Sequence, residues 1–83
     1  MIPRIKSMKP LDGYKLYVVF DDGRGVLYDV KDDIEHLPGY EDLKTIQGLF
    51  AQARLDQSRT CVFWNENIDL ASDMIYEYGK EVE

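Results

Sequence analysis

The 83 residues carry a net charge of −6, with 16 acids against 10 bases. That length makes one domain, 1–83, and leaves no room for a second core. The acidic balance opposes phosphate binding, so nucleic acid is not expected as the main ligand.

A chain this short hides only about 60–65% of the surface it exposes when unfolded, so small domains often need reinforcement. Cys61 is the one cysteine, which excludes an internal disulfide and fits a reducing cytosol. His36 is the one histidine, too few nitrogen and sulfur donors for zinc. Self-association as a homodimer or a protein partner is the remaining route. No signal segment is read at the start, and runs such as Tyr17-Val18-Val19-Phe20 are too short to cross a bilayer. The expectation is a soluble cytoplasmic protein with no membrane contact.

Ile2 to Lys9 reads as a strand bracketed by Pro3 and Pro10, with Arg4 and Lys6 on its polar face. Tyr14 to Asp21 is the strongest strand, rich in β-branched and aromatic residues. Asp22-Gly23 supplies a turn, and Arg24 to Val30 returns as the partner strand. A two-residue loop would set Asp21 opposite Arg24, Val19 opposite Val26 and Tyr17 opposite Tyr28. Leu16, Val18, Phe20 and Leu27 would then share the other side. A different loop length would change the pairs but not the split of Leu16, Val18 and Phe20 from Tyr17 and Val19. Both faces of the ribbon are apolar.

Beyond Val30 the chain is acidic until Pro38-Gly39 breaks it. Leu43, Ile46, Leu49, Phe50 and Ala53 recur at helical spacing, and Gly48 inside the pattern allows one kinked helix or two short ones. Arg54 to Asp56 and Thr60 to Trp64 read as a second hairpin. Asn65-Glu66-Asn67 is a turn. Asp69 or Ser72 is expected to cap a final helix carrying Leu70, Met74, Ile75 and Tyr78, which Gly79 stops. The tail from Lys80 to Glu83 is expected to fray. The sum is an α+β domain: a small antiparallel sheet of about five short strands, made of two hairpins and an N-terminal strand, with a central helical segment and a C-terminal helix.

Thiol and imidazole, the usual groups of nucleophilic catalysis, occur once each. Cys61 and His36 form the one possible thiol–imidazole pair, but Cys61 reads as a core thiol and His36 as a solvated loop residue. Asp29, Asp32, Asp33 and Glu35 lack the glycine and closing glutamate of a calcium loop. No glycine-rich strand-to-helix run follows Asp22-Gly23, so no phosphate cradle forms. Neither enzyme nor cofactor is expected, and no metal.

Pro10-Leu11-Asp12 with Tyr14 and Leu16, then Phe20 with Asp22-Gly23, then Tyr28-Asp29 form one series of signature positions. Leu49-Phe50, Arg54-Leu55-Asp56, Val62-Phe63-Trp64, Asp69-Leu70 and Tyr76 continue it. This order resembles a small bacterial family, domain of unknown function 2442. Members of that family usually show Pro-Asn-Gly where Asn65-Glu66-Asn67 stands here, and Asn67 can adopt the positive φ of glycine. The resemblance implies an α+β domain without established activity, often encoded beside another uncharacterised family in pairs that look like toxin–antitoxin modules.

The expected function is therefore a non-enzymatic protein-binding domain, antitoxin-like or a regulatory partner of a neighbouring gene product. Tyr17, Val19, Val26, Tyr28 and Trp64 are its expected contact residues, since tyrosine and tryptophan favour interfaces. The alternative is an acidic, anti-CRISPR-like inhibitor filling a nuclease's nucleic-acid groove. It would use Asp29, Asp32, Asp33, Glu35, Asp69, Asp73 and Glu77, and its partner would be a basic toxin or nuclease.

Overall fold

The computed structural model describes residues 2–66 and 68–82. Strands β1 (Ile5–Leu11), β2 (Lys15–Phe20) and β3 (Gly25–Asp29) lead into helices α1 (Lys31–His36) and α2 (Asp42–Thr45). A 3-10 turn at Phe50–Gln52 precedes β4 (Arg54–Leu55), β5 (Cys61–Asn65) and β6 (Ile68–Ala71), and α3 (Ser72–Tyr78) and β7 (Lys80–Glu81) close the described chain. The strands form two antiparallel sheets, ordered β1-β2-β3-β7 and β4-β5-β6. The α+β class stands, with the second hairpin forming its own sheet and two short strands added.

The turn after β2 has three residues, Asp21-Asp22-Gly23. The Phe20 N–H donates to the Arg24 carbonyl at 2.9 Å, and the Gly23 N–H returns to the Phe20 carbonyl at 2.9 Å. A two-residue turn of the favoured hairpin type I′ needs positive φ at both central positions. Gly23 has φ 90°, whereas Asp22 stays outside that region. Asp22 Oδ1 instead accepts the Arg24 N–H at 2.9 Å. The pairs are therefore Leu16 with Tyr28, Tyr17 with Leu27 and Val18 with Val26.

A one-residue change of register exchanges the faces of a strand. Val26 and Tyr28 join Leu16, Val18 and Phe20 in the core, and Leu27 moves out beside Tyr17 and Val19. The two-residue pairing of Val19 with Val26 and Tyr17 with Tyr28 is thus replaced.

One apolar cluster draws on a single face of each sheet: Ile5, Leu16, Val18, Phe20, Val26 and Tyr28 from the larger, Val62, Trp64, Ile68 and Leu70 from the smaller. Each α-helix adds one buried apolar side chain, Ile34, Leu43 and Ile75 in turn. Gly48, at φ 80°, separates α2 from the 3-10 turn, so the central segment is two short pieces. Ile46 departs from the expected apolar stripe and is 50% exposed.

The two sheets are tied at Arg59, which sits in the left-handed region at φ 63°. Its carbonyl accepts the Ile5 N–H at 2.8 Å. Its guanidinium grips Asp21 at 2.8 and 3.0 Å and reaches the Ile5 carbonyl at 3.2 Å. Such a bidentate fork fixes direction as well as distance.

Neither Asp69 nor Ser72 caps α3. Ala71 holds the cap position without a side-chain bond, Asp69 lies within β6, and the buried Ser72 hydroxyl donates to the Pro3 carbonyl at 2.6 Å. Lys80 and Glu81 do not fray: they pair with Leu27 and Val26. The expectation that Asn67 replaces a glycine lies outside the described residues, as does Glu83.

Gly79 is extended, with φ −75°, so its role is close approach. A Cβ there would lie 2.1 Å from Val26 Cγ1 and 2.6 Å from the Ile75 carbonyl oxygen. Gly79→Ala should therefore cost about 1–3 kcal/mol, as overpacking does, read as a lower urea midpoint at unchanged slope. An unchanged midpoint would contradict this packing.

Candidate docking face

β2 alternates buried and half-buried residues, and this alternation organises the surface behind it. The register sets three rows across the outer side of the larger sheet. One is Ser7, Val19 and Gly25, whose carbonyl accepts the Val82 N–H at 2.9 Å. The next is Lys9, Tyr17, Leu27 and Lys80. The last is Leu11, Lys15 and Asp29.

Val19, Tyr17 and Leu27 are half-buried and Val82 is 46% exposed. The buried apolar side chains of the helices all belong to the inner cluster, and the buried Ser72 donates to Pro3, so no described helix covers this outer row. Lys9 and Lys80 flank it, and neither enters an ion pair among the described residues.

The sheet edges offer little for strand addition, which needs a free row of backbone groups. β1 carries Lys6, Lys9 and Pro10, while β4 and β7 have two residues each. On β6 the Asp69 carbonyl already accepts the Tyr40 hydroxyl. A face is left, rather than an edge.

The expected contact residues divide. Tyr17 and Val19 lie on the outer face. Val26, Tyr28 and Trp64 do not: they are 0%, 7% and 2% exposed, as core residues. The Trp64 indole N–H donates to the Phe50 carbonyl at 3.0 Å, and the two rings stack at 5.8 Å. The Tyr28 hydroxyl donates to Asp33 at 2.7 Å, and burial followed by that carboxylate pushes its pKa well above the tyrosine range. Their polar handles are satisfied internally, so these rings serve packing. Leu27, Lys80 and Val82 belong to the face and were not read from the sequence. A three-residue reading of Asp21-Asp22-Gly23 would have found Leu27.

The expected acidic residues lie on several elements. Asp29 ends β3 and accepts the Lys31 N–H at 2.9 Å, while Asp32, Asp33 and Glu35 lie on α1. Asp69 lies on β6. Asp73 and Glu77 on α3 line an open groove of about 1030 Å³ with Arg4, Arg24 and Tyr76. In that groove Arg24 lies 4.5 Å over the Tyr76 ring, and the Tyr76 hydroxyl donates to Asp22 at 2.7 Å. The Arg24 N–H and then the Tyr76 hydroxyl hold the Asp22 carboxyl below its ordinary range.

Catalytic pairing is not assembled from Cys61 and His36. Cys61 is half-buried on the outer side of β5 rather than in the core, and burial raises its thiol pKa. His36 ends α1, exposed, its Nδ1 2.8 Å from the Asp32 carbonyl oxygen. Among the described residues no group of His, Cys, Asp and Glu could hold a metal, and no helix is long and apolar enough to cross a membrane.

The family model described as Protein of unknown function (DUF2442) matches residues 5–81. No curated protein and no solved structure matches the chain.

The register makes adjacent residues respond oppositely. Val26→Glu buries an unpaired charge and should remove about 3–5 kcal/mol. Leu27→Glu, at a half-buried position outside the core, should cost far less, about 1 kcal/mol or less. Equal losses in chemical denaturation would contradict the assigned faces.

Proposed function

From the premise that the chain belongs to the DUF2442 family, we propose that it is a non-enzymatic protein-binding domain that docks its partner on the outer face of the larger sheet. One observation carries this reading: the half-buried row of Val19, Tyr17 and Leu27 has no described helix over it, while the edges beside it are blunted. Apolar surface left open on a small domain is a common mark of an interaction site. A regulatory or antitoxin-like role toward a neighbouring gene product is consistent with such a face, because binding alone can silence a partner.

The acidic-inhibitor reading draws less support. Its seven carboxylates lie on β3, α1, β6 and α3, and Asp33 is engaged by Tyr28.

Co-expression with the product of the adjacent gene should yield a complex of defined mass. Leu27→Glu should abolish it while leaving the far-ultraviolet circular dichroism of the domain unchanged. A complex that survives Leu27→Glu and Val19→Glu together would overturn this assignment.

A further inference from the structure

The proposed docking face has a charge pattern of its own, opposite to that of the chain. The row across its middle reads Lys9, Tyr17, Leu27, Lys80, one residue from each of the four strands. Two apolar side chains stand between two lysines. Val19 extends the apolar strip along β2, beside the buried Gly25. Lys15 lies at the far end of the face, in register with the carboxylate of Asp29. Lys9 and Lys80, which flank the strip, enter no ion pair among the described residues, on a protein whose net charge is −6.

The strip also has dimensions. Six residues of β2 extend about 20 Å, and β2, β3 and β7 lie about 4.8 Å apart. An α-helix is about 10–12 Å across with its side chains and rises 1.5 Å per residue, so about 13 residues would span the strip. An extended segment would need a free edge for its backbone, and the edges are blunted. A helix satisfies its own backbone and presents only side chains.

Resting on the protein-binding reading, we infer that the occupant is an acidic amphipathic helix of the partner protein. It lies along β2 and β3 with its apolar stripe over Val19, Tyr17 and Leu27. Carboxylates on its two flanks meet Lys9 and Lys80. A second copy of this chain is disfavoured, because a two-fold pairing of this face sets the lysine-flanked rows against each other. The polarity differs from the basic partner that the acidic tracts of the sequence led one to expect.

Two 14-residue helical peptides with the same leucine stripe test the inference, one flanked by glutamates and one by lysines. Amide chemical shifts of the folded domain report where each binds. The glutamate peptide should shift Tyr17, Val19 and Leu27 and bind at least about tenfold more tightly than the lysine peptide at low salt, with the difference shrinking as salt screens it. The double variant Lys9→Glu/Lys80→Glu should reverse the preference. Equal affinities, no binding at millimolar peptide, shifts confined to the Tyr76 groove, concentration-dependent dimers of the chain, or tighter binding of a single-stranded oligonucleotide would each overturn it. The same double variant separates this inference from the reading beneath it. If it leaves the co-expressed complex intact while Leu27→Glu abolishes it, the docking face stands and the acidic helix falls.

Discussion

Side chains alternate along a strand with a period of two, so the length of one turn decides which half of β3 faces the core. The turn is Asp21-Asp22-Gly23, and Gly23 takes the left-handed conformation that closes it. From this follow the burial of Val26 and Tyr28, the outward placement of Leu27, and the landing of β7 beside β3. Tyr28 inside can then donate to Asp33 and hold α1 against the sheet end. Leu27 outside lies between Tyr17 and Lys80. The interior and the proposed docking face are two sides of one register.

The same constraint explains why a chain of this size leaves apolar surface open. Its helices are short, four to seven residues, and each contributes a single buried apolar side chain. They close the inner cluster and supply nothing to the outer row. Burial of one sheet face against a second small sheet lets the domain fold with one core, while the other face stays available for association. The Arg59–Asp21 fork helps by locking the two sheets at the hairpin end without occupying that face.

Much of this was legible from residue order. The β2–β3 ribbon, the hairpin ending in Trp64, the break at Gly48 and the closing helix all carry strong local signals. Three features did not. α1 holds one buried apolar residue, Ile34, among acids, so periodicity has nothing to register. β6 pairs with its neighbour β5, but Asp69 and Leu70 read as the start of the closing helix, while β7 is defined by the distant β3, and Lys80-Glu81 is too short to show a pattern. The choice between a two- and a three-residue turn depends on the φ of Asp22, which the tendencies of Asp and Gly leave open. That single choice moved Val26 and Tyr28 from the expected contact surface into the core. Trp64 moved for another reason: alternation along β5 points it inward, where Phe50 accepts its N–H.

The register can be read directly from Hα–Hα nuclear Overhauser effects, which are strongest between residues at non-hydrogen-bonded positions of an antiparallel pair. The bond from Phe20 to Arg24 places Tyr17 and Leu27 at such a position. The account predicts a strong Tyr17–Leu27 Hα–Hα contact. A strong Val18–Leu27 contact in its place, the mark of the two-residue turn, would contradict it, returning Tyr28 and Val26 to the outer face and dissolving the lysine-flanked row.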